Sequence, residues 1–273
     1  MIRLSAFADE ISADLEEQIA VLKQEGIHYI ELRSVWNTNV LHLSDEQLAT
    51  IKQRLEANNL HVAAIGSPIG KVPVTAPFEE HMYQFERALI VARRMETPYI
   101  RIFSFYPPEN EHERYRSEIL QRLRSLADRA QEQGITLLHE NEKLIYGDTI
   151  ARNVDLLSTL EHPHFRAVLD PANYLECKQV PFPDAYTAIK PWLAYVHVKD
   201  VTHDGTLVVA GEGEANWPAL LEQLRTDGYD GFFALEPHLA AAGQYQGFSG
   251  AALFRKASQS FQHLLKTMHW EYR

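Results

Sequence analysis

Cysteine is nearly absent. Cys177 is the one thiol in 273 residues, which excludes an intramolecular disulfide and a thiolate zinc cluster and fits a reducing cytoplasm. No apolar run approaches the length of a membrane span, and the N-terminal Met1-Ile2-Arg3-Leu4-Ser5-Ala6-Phe7-Ala8-Asp9-Glu10 meets acidic residues before a signal-type stretch develops; neither secretion nor membrane insertion is expected. Basic residues are in deficit, 26 Lys and Arg against 37 Asp and Glu for a net charge of −11, so the overall field repels phosphate backbones and anionic membrane surfaces and disfavours nucleic acid as a partner. The turn Ser5–Glu10 contains no glycine, so it lacks the close backbone approach a dinucleotide pyrophosphate needs. The phosphate loop GxxxxGK[ST] is missing too, which removes its kinase and ATPase chemistry. No Pro-, Gly- or Ser-rich linker and no charge block divides the chain.

What is present is a regular alternation. Short apolar runs at Arg3–Phe7, Tyr29–Arg33, Val62–Ile65, Tyr99–Ser104, Thr136–Glu140, Ala167–Asp170, Ala194–Val198 and Phe232–Glu236 read as strands. Amphipathic stretches at about 12–26, 45–58, 78–95, 111–133, 150–160, 183–190, 216–226 and 248–267 read as helices between them. Ser44-Asp45-Glu46-Gln47 has the form of a helix start, and Glu25-Gly26, Gln133-Gly134 and Asp227-Gly228 have the form of helix stops. Eight β-α units at about 34 residues each predict a single α/β domain over 1–273, a (β/α)8 TIM barrel, with an open doubly wound sheet as the alternative.

Active residues of such barrels project from the C-terminal strand ends. Strand five ends at Glu140 and strand six at Asp170; strand seven carries His197, Lys199 and Asp200; strand eight ends at Glu236. Three carboxylates and an imidazole at four successive strand ends would meet at one mouth. An acidic strand end is often only a helix cap, and a lone His often a satisfied core residue, but four polar groups buried together are better explained by a shared cation. Oxygen-rich ligation with one imidazole favours Mn²⁺, with Mg²⁺, Co²⁺ or Zn²⁺ as alternatives, at Glu140, Asp170, His197 and Glu236.

These segments, Leu138-His139-Glu140-Asn141, Val168-Leu169-Asp170-Pro171-Ala172-Asn173, Val196-His197-Val198-Lys199-Asp200, Gly211-Glu212-Gly213-Glu214-Ala215-Asn216-Trp217-Pro218 and Ala234-Leu235-Glu236, resemble the xylose-isomerase-like TIM-barrel sugar-phosphate isomerases and epimerases, among them the ketose 3-epimerases and hydroxypyruvate isomerases. The resemblance spans nearly the whole chain. It implies the same four metal ligands and makes Glu140 and Glu236 the acid/base pair of a proton transfer through a metal-stabilised enediolate of a small ketose, keto-sugar or sugar-phosphate derivative. Two positions depart from the pattern. Asn173 stands where many relatives carry a substrate-touching His, and Tyr146 stands where some ketose epimerases place a second substrate-contacting Glu.

Further substrate-binding candidates remain double-edged. Glu31 and Arg33 share a face of strand two and form either an ion pair or a hydroxyl clamp. Lys199 shares the face of His197 and binds either substrate or a neighbouring carboxylate. Lys71, in Ser67-Pro68-Ile69-Gly70-Lys71, and His238 face either substrate or solvent; Asn173 completes the set. Trp36 could stack on a sugar, although aromatics at such places are more often core. The helix from Phe248 could make a homo-oligomer contact or cover the barrel. Two rival functions are a metal-dependent phosphodiester hydrolase of the apurinic endonuclease type and a non-catalytic sugar-binding barrel.

Overall fold

The computed structural model describes residues 1–240 and 249–273. Eight parallel strands close into a barrel: β1 Arg3–Phe7, β2 Tyr29–Leu32, β3 His61–Gly66, β4 Tyr99–Ile102, β5 Thr136–Glu140, β6 Phe165–Leu169, β7 Leu193–Val198 and β8 Phe232–Leu235. Each pairs with its chain neighbours, and β8 closes on β1 through Arg3↔Phe232 to Ala6↔Leu235. The expected (β/α)8 architecture is therefore observed, and the open sheet is not. Helices α1 Leu15–Gln24, α2 Asp45–Ala57, α3 Phe78–Arg94, α4 His112–Gln131, α5 Ile150–Leu160, α6 Pro171–Glu176, α7 Tyr186–Ile189, α8 Trp217–Thr226 and α9 Ala251–Thr267 follow the strands. The expected start of the last helix, Phe248, lies outside the described residues. No helix among the described residues is long and apolar enough to cross a membrane.

Local chemistry explains the boundaries. Ser44 and Gln47 exchange hydrogen bonds in a capping box, Ser44 Oγ accepting from Gln47 N at 3.1 Å and Gln47 Oε1 from Ser44 N at 2.8 Å. The three glycine stops fall just after α1, α4 and α8. Asp170 caps α6, accepting from Asn173 N at 2.9 Å, with Pro171 in the first turn where its missing N–H is not needed. The stretch expected as a helix at 183–190 is instead broken, with a wide turn at Pro181–Ala185, α7, and a 3₁₀ turn at Lys190–Trp192; prolines at 181, 183 and 191 remove the N–H groups a continuous helix would use. Two short hairpins, Ser34–Val35 with Thr38–Asn39 and Asp200–Val201 with Leu207–Val208, had no expected counterpart.

Strand alternation divides the interior into two worlds. Outward-facing residues such as Leu4, Ile30, Ile100, Leu137, Leu169, Val196 and Phe233 pack under the helices in one large core. Phe7, Leu138, Val168, Tyr195, Phe232 and Ala234 face inward and, with Ala63 and Ala64 at a register shift of β3, fill the barrel in a second cluster. One residue further along the inward rows, on β5, β6, β7 and β8, come Glu140, Asp170, His197 and Glu236, so the period of two that builds the core also aims these four at one mouth.

Candidate metal centre at the barrel mouth

Glu140, Asp170, His197 and Glu236 are 1%, 0%, 0% and 3% exposed, and each offers a ligand atom within 4.8 Å of the others. His197 Nδ1 stands 3.3 Å from Glu140 Oε1, 3.5 Å from Glu236 Oε2 and 3.9 Å from Asp170 Oδ2. Three of these atoms, Asp170 Oδ2, His197 Nδ1 and Glu236 Oε2, are buried and make no hydrogen bond. Asp170 Oδ2 has the Lys199 ammonium 3.1 Å away as its ion-pair partner; buried polar atoms without hydrogen bonds are costly, and three that face one another on an O₃N donor set fit a shared divalent cation.

The outer atoms of the cluster are tied down. Glu140 Oε2 accepts from Arg101 at 2.7 Å and Oε1 from Asn173 Nδ2 at 3.0 Å. Glu236 Oε1 accepts from Arg33 at 2.7 Å. Arg33 also bonds Asp9 at 2.7 Å and Glu10 at 3.0 Å. Lys199 Nζ donates to Asn173 Oδ1 at 2.7 Å and lies 3.1 Å from Asp170 Oδ2. Asn173, the departure from the family pattern, is thus a neutral bridge between Glu140 and Lys199.

These partners set the protonation states. Burial alone would raise the Glu140 carboxyl, but His197 and Arg101 hold it well below its ordinary range. Burial likewise opposes ionisation of Glu236, yet Lys199, His197 and Arg33 bring it to about 2 against the repulsion of Glu140. Asp170 goes the other way, pushed up to about 6 by burial and by its like-charged neighbours Glu140 and Glu236. Burial would discharge His197, but Glu140 and Glu31 carry it well above its ordinary value. The pocket is thus a site where positive charge is wanted.

The other sequence candidates also gather here. Arg33, Lys71, Glu140, Lys199, Glu236 and His238 line a cavity of about 170 Å³, together with Arg101, Phe103 and Glu142. Lys71 pairs with Glu142 at 2.8 Å and lies over the Phe103 ring. His238 Nδ1 meets Glu10 at 2.7 Å. Glu31 is buried and meets His197 Nε2 at 3.2 Å, while Arg33 meets Asp9 and Glu10 after the neighbouring β1 and Glu236 after β8, so the two do not pair with each other as their spacing allowed. Tyr146 is buried away from the cavity lining, its hydroxyl donating to Asp155 at 2.8 Å. Trp36 packs, partly buried, against the outer core.

Sequence reasoning passed over Arg101, Glu142, Asp9 and Glu10. Arg101 shares the inward face of β4 with Phe103, a signal available from alternation alone; Asp9 and Glu10 sit in a buried 3₁₀ turn after β1. It also left Asp200 without a role. That carboxylate takes the N–H groups of Val201, Gly211, Gly213 and Ala215 at 2.9 to 3.1 Å and so organises the Gly211–Pro218 loop.

Comparison with known proteins agrees with this picture. The chain is 23% identical over 183 residues to 3-dehydroshikimate dehydratase of Bacillus anthracis, a match that covers 66% of this chain and 64% of that protein's length. Among solved structures, the fold matches the IOLI protein with a bound zinc atom (TM-score 0.79, 15% identity, 98% of this chain and 99% of that one). It also matches D-psicose 3-epimerase with D-tagatose from Clostridium cellulolyticum H10 (TM-score 0.76, 14% identity, 98% and 99%). With the family model matching residues 19–262, this chain belongs to the xylose isomerase-like TIM barrel family.

Proposed function

We propose that residues 1–273 form one catalytic domain, a divalent-metal-dependent isomerase or epimerase of a small ketose, keto-sugar or sugar-phosphate derivative. The observation that carries this reading is the set of buried, mutually facing and unbonded atoms on Asp170, His197 and Glu236 beside Glu140. These four residues would hold the metal. When bound, a divalent ion, Mn²⁺ first for this donor set, supplies a Lewis acid beside a carbonyl and its neighbouring hydroxyl.

The chain's own residues then handle the proton. Glu236, oriented by the Arg33 bond to its Oε1, is the carboxylate assigned to remove a proton from the carbon next to the carbonyl. Glu140, fixed by Arg101 and Asn173, is the second carboxylate: for delivery to the opposite face it carries a proton of its own into the step and gives that one up, Glu236 keeps the proton it removed, and both reset through solvent. Return to the opposite face of that carbon gives the epimer, and return to the neighbouring carbon gives the aldose–ketose isomer. Carboxylates held this far below their ordinary range are weak bases, so fixed orientation matters more here than basicity. Arg33, Lys71, Lys199 and His238 are assigned to the substrate's remaining oxygens, and Asn173 to holding Glu140 and Lys199 in place.

A second reading has its own support. The B. anthracis relative is a dehydratase, and Arg33, Lys71, Arg101 and Lys199 at the mouth, each already paired with a carboxylate there, are the groups that would meet the acid group of a hydroxyketone acid. Loss of a β-hydroxyl from such an acid begins with the same proton removal by the same glutamate. In either reading the partner is a small molecule in the cytoplasm and not a nucleic acid or membrane.

The test is turnover of hydroxy-carbonyl compounds, sugars and keto acids alike, followed by NMR in D₂O. Deuterium should enter at the carbon next to the carbonyl, exhaustive chelation should abolish it, and Mn²⁺ should restore it. Glu140→Gln and Glu236→Gln should slow exchange by roughly 10²- to 10⁴-fold. Full turnover by metal-stripped protein would reject the reading; an unsaturated product would select the dehydratase.

A further inference from the structure

His197 is held at both ends of its ring. Nδ1 faces the three carboxylates, whereas Nε2 points away from them to Glu31 Oε2 at 3.2 Å. Phe7 and Tyr195 meet the ring edge-on, with centroids 5.2 and 5.8 Å away and interplanar angles of 82° and 87°, and so fix its plane. Glu31 comes from β2, three strands around the barrel from β7, and is 1% exposed.

The other oxygen of Glu31 is buried and makes no hydrogen bond; the same holds for the Tyr195 hydroxyl and for Ser5 Oγ. These three groups are neighbours, since Ser5 and Glu31 both bear on the ionisation of the Tyr195 hydroxyl, which burial pushes well above its ordinary value. Alternation explains the grouping, because Tyr195 lies one inward step below His197 on β7 and Ser5 one inward step below Phe7 on β1. A site with three polar partners suits one buried water as well as a direct bond.

An imidazole binds a metal through one lone pair, and the hydrogen bond at its other nitrogen decides which nitrogen keeps the proton. A buried carboxylate is a costly residue at position 31, where glutamine would fill the same volume without charge. We propose that Glu31 is a positioning residue that takes the Nε2–H of His197 and so keeps the Nδ1 lone pair directed at the Glu140, Asp170 and Glu236 carboxylates, with the Tyr195 and Ser5 hydroxyls steadying its second oxygen. This rests on the metal-site reading above. It moves Glu31 from the substrate clamp suggested by its spacing to Arg33 into the support of a ligand, one step behind the chemistry.

The test uses the full chain, stripped with chelator and titrated with Zn²⁺ or Mn²⁺ in competition with a chromophoric chelator. Wild type should bind one ion per chain. Glu31→Gln should weaken binding by roughly 10- to 100-fold, and Tyr195→Phe, which leaves the carboxylate in place, by several-fold. In zinc-loaded protein carrying ¹⁵N-histidine, the His197 proton should reside on Nε2. If Glu31→Gln does not fold, Tyr195→Phe and the nitrogen spectrum decide. Metal affinity unchanged in the variants, or a proton found on Nδ1, overturns the proposal; so does a rise in substrate KM at unchanged metal affinity, which would return Glu31 to the substrate. Failure of wild type to bind any ion would instead overturn the metal site itself, and this inference with it.

Discussion

The two ends of one barrel interior obey opposite rules. At the N-terminal floor, Tyr29, Tyr195 and Phe232 pack ring against ring at 5.1 to 5.5 Å, Arg3 caps the Phe232 ring at 4.0 Å, and small residues such as Ala63 and Ala234 fill the spaces. At the mouth, two residues further along the same strands, carboxylates, guanidiniums and an ammonium are buried with atoms left unbonded. Apart from the unbonded Tyr195 hydroxyl, the floor is what packing would choose unaided, and the mouth is not. Since both are built by the same strands in the same register, the difference marks where packing gives way to the candidate metal centre.

The sharpest way to break this comparison is to damage the floor and watch the mouth. Phe232→Ala removes a ring that contacts Tyr29, Tyr195 and Arg3, and should destabilise the protein by about 3–5 kcal/mol in urea unfolding, while metal stoichiometry below the transition stays at the wild-type value. Loss of metal binding in a still-folded Phe232→Ala protein would show that floor and mouth are one coupled unit. The reverse experiment is the glutamate pair: Glu140→Gln and Glu236→Gln are expected to empty the chemistry and leave the barrel folded.

Buried imidazoles sharpen the contrast next. His197 at the mouth is driven up by its carboxylates, whereas His81 and His139 lie in packed surroundings and are driven down, each to about 4, His81 by burial and then by Arg122, His139 by burial. His81 Nε2 accepts the Gly70 N–H at 3.0 Å, a bond only the neutral ring can accept at that nitrogen. The unfolded chain protonates these rings near pH 6.5, but the folded chain resists until about pH 4. Their contribution is therefore complete above pH 6.5 and is lost as pH falls toward 4, about 2 kcal/mol for each by pH 5. Denaturant titrations at pH 7 and pH 5 measure it, and the loss should shrink in His139→Gln. A pH-independent midpoint would contradict it.

How much of this could be read from the chain depends on the range of the interaction. Strand β5 with Glu140 at its end, and the convergence of Glu140, Asp170, His197 and Glu236 at one mouth, were legible because period two and a strand terminus are local signals: Leu138 and Glu140, Val168 and Asp170, Ala234 and Glu236 are pairs two apart. Helix α6 is also a local signal, an Asp cap followed by Pro171, and Asp170 fills both of the roles its position allows: one oxygen caps and the other faces the cluster. What no local pattern carries is who meets whom across the barrel. Arg33 and Glu236 are 203 residues apart and His197 and Glu31 are 166 apart, so the sequence offered Arg33 only its strand neighbour Glu31 as a partner. Closure of the barrel, not spacing, made the choice.

The smallest effect falls at the rim, where the two regimes meet. Lys71 follows Gly70, whose φ of +88° and approach to Phe103, where a Cβ would stand 2.0 Å from the carbonyl oxygen, permit no other residue without rearrangement. That turn aims Lys71 over the Phe103 ring and onto Glu142. If Lys71 serves only as a rim salt bridge, its removal should cost at most about 1 kcal/mol and nothing else. If it grips a substrate oxygen, Lys71→Ala should raise substrate KM by about tenfold, the equivalent of one charge-assisted hydrogen bond, with kcat, metal affinity and melting temperature close to wild type and with Lys71→Arg recovering part of the loss. The rim then belongs with the mouth. A KM unmoved by Lys71→Ala would assign Lys71 to the scaffold and leave Arg33, Lys199 and His238 to hold the substrate's distal end.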